Sequence, residues 1–338
     1  MKLVTGGTGL LGSHLLIELT KKNDSIRSIF RDEKKIEYVQ NLFRYYYPKN
    51  WTHYWQKIEW IKADILDIES MKIAISNVNE VYHSAGFVSF YNEDFRKCIQ
   101  INREGTANIV NLCLKYGIKK LGYVSSTAAI GGTEGKPITE QDKWQKTENT
   151  SGYSISKYLA EKEVWRGIEE GLEAVIINPC VILGPGNWNE SSLKIFKNAS
   201  KGMTFYPTGS NATVDVRDVA SCLIKLVDSS ICNKRFLCIG SNQSFESLLG
   251  EIAKHAGTKR PTKRISKSNL LLLYYLSLPF YWLFRIKSPF NRDTINSAYK
   301  NLSYSRFEIE QTTNHSFYSL EETIKNTINA KKFELEFK

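Results

Sequence analysis

The sequence predicts an α/β fold with a doubly wound parallel sheet followed by a smaller C-terminal lobe. Short β-branched segments alternate with longer amphipathic ones, which is typical of parallel strands wrapped by helices. A glycine-rich turn joins the first such pair, and the alternation becomes irregular after Pro179. At 338 residues the chain exceeds the usual size of one hydrophobic core, so an appended lobe is expected.

The patterns place the elements in order along the chain. Strands are predicted at residues 2–5, 26–30, 58–62, 80–84, 120–125 and 174–178, and helices at 10–21, 102–116 and 153–171. Residues 1–178, joined by later segments at about 210–240, are expected to form the sheet domain, and residues 179–338 mainly the lobe. Segment 43–60 is crowded with Tyr and Trp without a clear period, and we interpret it as a packed excursion before the third strand.

Composition excludes several classes of protein. With 42% hydrophobic and 24% charged residues, the chain lies in the globular range. Its six cysteines form no CxxC pair, so neither a disulfide framework nor a structural zinc site is expected. The N-terminus leads directly into the first predicted strand and leaves no room for a signal segment, which predicts a cytoplasmic protein.

The chain is basic, with 46 Lys and Arg against 35 Asp and Glu and a net charge of +11. Lys and Arg are dispersed and no motif that reads DNA or RNA is present, so we expect no nucleic-acid partner. Binding of a phosphorylated small molecule accounts for the same excess of charge.

One apolar run, residues 270–284, raises the question of membrane contact. It is interrupted by Ser277 and Pro279 and is shorter than the roughly 20 residues needed to span a bilayer. Tyr and Leu occur all round it, so we expect a buried helix or the wall of a pocket. An interfacial anchor stays open because basic residues flank the run: Lys263, Arg264, Lys267, Arg285 and Lys287.

The first motif is the segment TGGTGLLG, residues 5–12, between the first strand and the first helix. Glycines allow a sharp turn and close approach of the backbone to a pyrophosphate, whose charge the free N–H groups of the helix start would face. The spacing of Gly6, Gly9 and Gly12 is GxxGxxG, which differs from the GxGxxG dehydrogenase fingerprint. Its position still favours a dinucleotide site over a simple turn.

The second motif is a tyrosine and a lysine four residues apart on a predicted helix. Tyr153 and Lys157 share one face, so the ammonium can lie beside the phenol and favour its ionised form. Such a pair is common by chance on solvated helices. A third element strengthens it, because the hydroxyls of Ser125, Ser126 and Thr127 follow a predicted strand at the edge where such sheets bind ligands.

The ordered segments TGGTGLLG, VYHSAG, INREGTANIV, YVSSTAAIG, YSISK, INPCVILGPG and VDVRDVA resemble the extended short-chain dehydrogenase/reductase family over roughly residues 1–230. The resemblance implies a Rossmann-type sheet, a substrate-binding lobe and sometimes a homodimer. It also implies that Tyr153 is the catalytic acid/base, that Lys157 tunes it and binds the ribose, and that Thr127 polarises the substrate oxygen, with Ser126 as the alternative. His83 would pack in the interior. The implied cofactor contacts are Gly6, Gly9, Leu10, Leu11, Gly12, Asp64, Ile65, Ser84, Ala85, Gly86, Asn102, Tyr153, Lys157, Pro179 and Val181.

The end of the second strand bears on the cofactor. Relatives that select NAD carry an acidic residue there, which binds the ribose 2′-hydroxyl and repels a 2′-phosphate. Here Arg31 ends the strand, with Lys34 and Lys35 after it, and these cations suit a phosphate. NADP(H) is therefore favoured over NAD(H), although Asp32 takes the acidic role if the strand is longer.

Three absences bear on the reaction that the resemblance implies. Dehydratases of the family have an acidic pair after the catalytic threonine, where this chain has Ala128 and Ala129. Nucleotide-sugar epimerases usually have an arginine before the Val-Asp-Val segment, whereas here Arg217 lies within it, where pairing with Asp215 or Asp218 is as plausible. The third absence is that of a polar C-terminal lobe, because the lobe carries the apolar run, which suits a hydrophobic substrate.

The expectation is an NADP(H)-dependent oxidoreductase that acts on a ketone or aldehyde, similar to dihydroflavonol reductases and 3β-hydroxysteroid dehydrogenases. The alternatives are a nucleotide-sugar epimerase with tightly held NAD and a catalytically silent protein that senses the cofactor. Retention of Thr127, Tyr153 and Lys157 argues against the silent protein.

Overall fold

The computed structural model describes residues 1–22, 25–148, 150–284 and 291–336. Within them the strands are β1 (Lys2–Thr5), β2 (Ile26–Phe30), β3 (Ile58–Lys62), β4 (Glu80–His83), β5 (Lys120–Val124), β6 (Ala174–Pro179), β7 (Val181–Leu183), β8 (Phe205–Tyr206), β9 (Ser210–Asp215), β10 (Lys234–Cys238), β11 (Ser241–Ser244) and β12 (Lys263–Arg264). The α-helices are α1 (Leu10–Lys21), α2 (Lys34–Tyr46), α3 (Trp51–Trp55), α4 (Ile68–Ile75), α5 (Phe95–Cys98), α6 (Gly105–Lys115), α7 (Gly152–Glu169), α8 (Lys194–Ala199), α9 (Val216–Asp228), α10 (Phe245–Ala256), α11 (Lys267–Phe284), α12 (Arg292–Ala298), α13 (Phe307–Thr313) and α14 (Leu320–Glu336).

The central sheet is parallel and doubly wound, as predicted. Its seven strands lie in the order β10-β6-β5-β4-β1-β2-β3, and every neighbouring pair runs parallel. The chain first winds from β1 towards β3 and then returns to β4 on the other side of β1. The crevice at the carboxyl ends of β1 and β4 is therefore the switch point at which sheets of this kind bind ligands.

Helices cover both faces of the sheet. Leu3 and Val4, which are consecutive and fully buried in β1, belong to two different apolar clusters because side chains alternate across a strand. The Val4 cluster includes Leu15 of α1 and Leu223 of α9, whereas the Leu3 cluster includes Val164 of α7. Burial on both faces explains why β6, whose six residues are all buried, begins with four consecutive apolar residues.

The bounds predicted from the sequence agree closely with those of the observed elements. The six predicted strands are confirmed as β1 to β6, each with at most one residue of difference at its end, and the helix predicted at 10–21 is confirmed as α1. The helix predicted at 102–116 is interrupted, because a π-helical segment, Ile99–Glu104, precedes α6. Strand β10 pairs with β6 in the large sheet. The division into two domains at residue 178 remains a prediction.

The aromatic segment 43–60 is a packed excursion, as interpreted. It contains the end of α2 and the short helix α3, whose rings meet edge to face or tilted. Phe43 and Trp55 lie 5.5 Å apart, and Tyr47 and Tyr54 lie 4.1 Å apart, measured between ring centroids. These rings pack on the cluster that contains α1, so the segment covers one face of the sheet.

The smaller lobe combines short strands with the last helices. Strands β11, β9 and β7 form one small sheet, and β12 and β8 form another. A third apolar cluster joins helices α8, α10 and α14 through Phe196, Ile252 and Ile324. Backbone bonds also hold residues 303–305 against Ile138, which brings the C-terminal part of the chain back to the large domain.

The apolar run 270–284 corrects one expectation. It lies in α11, where Leu270 is buried but Leu272, Leu273 and Leu276 are 51–60% exposed. The prediction of a buried helix is therefore wrong for this face. Because apolar residues occur all round the helix, the sequence did not indicate that only one side packs on the protein. The flanking Arg285 and Lys287 lie outside the described residues. Among the helices that the structure describes, none has the length and apolarity required to cross a membrane.

Candidate active site

The glycine turn of residues 5–12 fits a pyrophosphate in its local structure. Gly6 has a φ of +70°, and a Cβ there would lie 2.7 Å from the backbone nitrogen of Ala85. A Cβ at Gly12 would collide with the carbonyl of Gly6. Helix α1 begins after Gly9 with no side-chain cap and no acidic residue in its first turn, so no carboxylate of that turn offsets its N–H groups and positive dipole end. The turn therefore has the shape and charge that a dinucleotide phosphate requires.

Backbone segments on both sides of the switch point complete the edge of this crevice. Ser84 donates from Oγ to the Thr5 carbonyl at 2.7 Å, and the Ala85 N–H donates to Thr5 Oγ1 at 3.3 Å. Gly86 follows and is exposed. Pro179, at the carboxyl end of β6, is buried, and Val181 opens β7. The sequence-predicted contacts Ser84, Ala85, Gly86, Pro179 and Val181 thus follow strands of the large sheet at their carboxyl ends.

The residues after β2 and β3 carry the charges expected at a ribose phosphate. Arg31 pairs with Asp64 at 3.4 Å and is 63% exposed, so most of its guanidinium remains accessible. Lys35 pairs at 3.0 Å with Glu190, a residue of the segment after β7. The Asp32 carboxylate accepts from the Lys34 N–H at 3.1 Å and so caps the local turn. Arg31 and Asp64, both predicted to contact the cofactor, are brought together here.

Asn102 ties three parts of the site together. It lies in the π-helical segment, where Oδ1 accepts from the Phe87 N–H at 2.7 Å and Nδ2 donates to the Phe87 carbonyl at 2.9 Å. Nδ2 also donates to Ser156 Oγ at 2.9 Å. Asn102 is almost fully buried, so it connects the loop after β4 to helix α7. The neighbouring Ile65 packs against Gly105, where a Cβ would clash with its side chain.

Tyr153 and Lys157 lie one turn apart on α7. Ser151 caps this helix by accepting from the Ser154 N–H. Burial raises the pKa of Tyr153 to about 12, and hydrogen bonding with the Ser126 hydroxyl opposes that shift. Burial lowers the pKa of Lys157 to about 8, against the opposing charge of Glu161. The site therefore holds a neutral phenol and a readily deprotonated ammonium.

The Lys157 ammonium donates hydrogen bonds to residues of the sheet. It donates to the Val124 carbonyl at 2.8 Å and to the Tyr123 hydroxyl at 3.1 Å. Tyr123 stacks on His83 with 5.5 Å between ring centroids. His83 is fully buried and shares hydrogen bonds with Thr5 at 2.7 Å and Thr106 at 3.0 Å. Burial lowers the pKa of His83 to about 3, so it is neutral and serves packing, as expected from the sequence.

Ser126 and Thr127 face different partners. Ser126 follows β5, where its hydroxyl lowers the pKa of the Tyr153 phenol against the effect of burial, and its Oγ accepts from the Ala128 N–H at 3.1 Å. The Thr127 hydroxyl lowers the pKa of Tyr304 in the same way, and Tyr304 comes from the C-terminal part of the chain. Ser126, the alternative, therefore lies near Tyr153, and Thr127 lies near Tyr304, while the choice between the two hydroxyls stays a prediction.

A buried carboxylate that the sequence analysis did not single out supports this loop. Glu161 lies one turn after Lys157 on α7 and is 3% exposed. It accepts from Ser125 Oγ at 2.6 Å and from Asn178 Nδ2 at 2.7 Å, and it pairs with Arg235 of β10 at 3.2 Å. Its position four residues after Lys157 was the signal in the sequence that could have revealed it.

Arg217 is engaged within the protein. It forms a bidentate pair with the buried Asp215, at 2.9 Å from Nε and 2.7 Å from Nη2. Its guanidinium lies 3.6 Å from the ring centroid of Tyr318. Of the two pairings considered from the sequence, that with Asp215 is present, whereas Asp218 contacts His315 at 2.8 Å.

Comparison with known proteins identifies relatives of this architecture. The family model of the NAD dependent epimerase/dehydratase family matches residues 2–238. Sterol demethylase protein B of Methylococcus capsulatus is 25% identical over 261 residues, covering 77% of this chain and 75% of that protein. A putative dihydroflavonol 4-reductase of Synechocystis is 25% identical over 287 residues, covering 83% and 77%. Anthocyanidin reductase of Arabidopsis thaliana is 28% identical over 268 residues, covering 71% and 76%.

Solved structures share the fold along the whole chain. The crystal structure of gox2253 superposes with a TM-score of 0.80 at 24% identity, covering 99% of this chain and 98% of that one. Yeast methylglyoxal/isovaleraldehyde reductase Gre2, solved with NADPH, superposes with a TM-score of 0.75 at 18% identity, covering 99% of both chains. A UDP-glucose 4-epimerase of Thermus thermophilus, solved with NAD, gives a TM-score of 0.73 at 18% identity, covering 98% of this chain and 99% of that one.

Proposed function

The chain belongs to the NAD-dependent epimerase/dehydratase family, and from this premise we propose that it is an NADP(H)-dependent oxidoreductase. Its reaction would be reduction of a ketone or aldehyde of a fairly hydrophobic small molecule, or oxidation of the alcohol. Members of this family are NAD(P)-dependent oxidoreductases. The observation that carries the proposal is the placement of Tyr153 and Lys157 one turn apart on α7, with the Ser126 hydroxyl close enough to lower the pKa of the phenol.

The proposed roles follow from these contacts. The crevice at the glycine turn would hold the cofactor through Gly6, Gly9, Leu10, Leu11 and Gly12, and hydride comes from its nicotinamide when it is bound. Ser126 would donate a hydrogen bond to the carbonyl oxygen as negative charge develops on it. Tyr153 would give its phenolic proton to that oxygen, which completes the alcohol. Lys157 would offset the charge left on the phenolate until solvent reprotonates it.

Ser126 replaces Thr127 in this proposal. A group that polarises the substrate oxygen must reach the same oxygen as the acid/base tyrosine, and the Ser126 hydroxyl is near enough to that phenol to lower its pKa. Thr127 is engaged with Tyr304. We assign Thr127 a role in holding the C-terminal segment against the loop.

The preference for NADP(H) over NAD(H) rests on charge at the end of β2. Arg31 is mostly exposed and is oriented by Asp64, so it could grip a 2′-phosphate bidentately. Lys35 adds a second cation nearby. Asp32 is occupied as a turn cap, which weakens its case as the acidic ligand of a ribose 2′-hydroxyl.

A hydrophobic carbonyl substrate is supported by the surroundings of Tyr153. Phe90 meets the Tyr153 ring edge to face at 5.5 Å and is 36% exposed. Val88 and Phe95, from the same loop region, are 42% and 38% exposed. Arg217 is committed to Asp215, which disfavours the alternative of a nucleotide-sugar epimerase that grips a diphosphate through this arginine. Reductases among the relatives agree with this choice.

The test is a screen for oxidation of NADPH by purified protein with aliphatic and aromatic aldehydes and ketones. Tyr153→Phe keeps the ring and removes the hydroxyl, so turnover should fall by roughly 10²–10⁴-fold while NADPH binding persists. Isomerisation at constant cofactor would identify the epimerase instead, and NADPH binding without either reaction would identify the silent protein. Unchanged turnover in Tyr153→Phe would exclude this tyrosine as the proton donor.

A further inference from the structure

Lys and Arg are dispersed along the chain, but their excess over Asp and Glu lies mostly in one segment. Between Glu251 and Asp293 the sequence has nine Lys and Arg residues and no Asp or Glu, whereas acidic residues nearly offset the basic ones elsewhere. The segment therefore carries most of the net charge of +11. It contains β12 and helix α11.

Helix α11 presents leucine and tyrosine to solvent on one face. Leu272, Leu273, Tyr275 and Leu276 are 58%, 51%, 52% and 60% exposed. Their spacing places them on one side of a helix. The other side packs on the protein, because Leu270 is buried and α11 contacts α12. A contiguous apolar face that is exposed to solvent marks an interaction site.

Exposed cations lie in β12 and at the first residue of α11. Lys263 and Lys267 are exposed, and neither forms an ion pair with any residue that the structure describes. Lys263 lies opposite Phe205 in the register of β12 and β8, and Phe205 is itself 49% exposed. One exposed ammonium group and one exposed aromatic ring therefore adjoin in the strand pair that precedes α11.

We propose that α11 binds the surface of an anionic lipid bilayer and lies in its interface without crossing it. The exposed leucines would enter the acyl boundary, and the lysines would meet lipid phosphates. Charge selects this occupant over a second copy of the chain, because two copies would bring two strongly basic segments together. The polar side that an interfacial helix needs is supplied here by the protein on which α11 packs.

The test is cosedimentation of the full-length protein with vesicles of phosphatidylcholine alone and with about one third phosphatidylglycerol. Binding is expected only to the anionic vesicles and should weaken as salt rises. Leu272→Ser combined with Leu276→Ser should reduce binding by about 100-fold or more, because two leucine side chains that would be buried in the bilayer are lost. Lys263→Gln combined with Lys267→Gln should reduce it by about 30-fold, at about fivefold per lysine near such a surface.

Matched controls separate this surface from general stickiness. Ile73→Ser removes another exposed apolar side chain, 66% exposed, and Lys136→Gln with Lys146→Gln removes two exposed lysines elsewhere. Both controls should bind vesicles as the wild type does, and thermal melting should show every variant folded.

Absence of wild-type binding, or equal binding by the leucine variant, would overturn the proposal. Self-association in sedimentation velocity, abolished by the leucine substitutions and without vesicle binding, would overturn it in favour of a dimer interface. Binding of NADPH is independent of these substitutions, so this result and that for the proposed function are distinguishable.

Discussion

Replacing Ser126 is the most informative change at the proposed active site, because Ser126 and Thr127 adjoin in sequence but face different partners. Ser126→Ala removes the hydroxyl that lowers the pKa of Tyr153. A donor to a developing oxyanion is worth roughly 10²–10³-fold in kcat. Thr127→Val removes a hydroxyl of similar size that contacts Tyr304, so its loss should lower kcat by less than about tenfold.

Stability must be separated from catalysis in this comparison. Ser126 Oγ also caps the turn at Ala128, and loss of such a cap costs about 0.5–2 kcal/mol. That cost leaves most of the protein folded, so kcat should be measured at saturating NADPH beside a urea unfolding curve. Ser126→Thr keeps a hydroxyl and should retain activity within about tenfold. A larger loss of kcat in Thr127→Val than in Ser126→Ala would refute the assignment.

Three further predictions concern charged residues. Arg31→Ala should raise KM for NADPH about tenfold and leave KM for NADH within about twofold. Tenfold is the lower end for a charge-assisted contact, because the Arg31 side chain is exposed. Equal changes in the two KM values would mean that Arg31 has a structural role. Burial lowers the pKa of Lys157 to about 8, so its ammonium is lost as pH rises through that value, and kcat/KM for reduction should fall there; a profile flat from pH 7 to 9.5 would contradict this role. Glu161→Gln leaves Arg235 without its ion partner and should lower the free energy of unfolding by about 3 kcal/mol, measured in urea, whereas an unchanged midpoint would show that the pair contributes little.

The fold was predictable because its signals are local. Strands such as Lys2–Thr5 are short, apolar and bounded by turns, and the glycines of residues 6–12 mark the join to α1 whatever the rest of the chain does. The interruption at Ile99–Glu104 was not predictable, since a π-helical turn has no marker of its own in the apolar period.

The site was predictable only in part. Tyr153 and Lys157 share a helix, so their spacing alone brings them together. The choice between Ser126 and Thr127 depends on Tyr304, which comes from the far end of the chain, and no local pattern contains that contact. Exposure of α11 was missed for the same reason, because which side of a uniformly apolar helix packs on the protein is decided by its partner.

Deuterium transfer tests the central claim most directly. The protein is incubated with NADPH that carries deuterium at both positions of nicotinamide C4 and with a carbonyl substrate from the screen, and product and cofactor are analysed by mass spectrometry. Reduction predicts one deuterium on the former carbonyl carbon and one NADP⁺ formed for each alcohol, with both signals lost in Tyr153→Phe. Product that forms without deuterium, or without consumption of NADPH, would contradict the account.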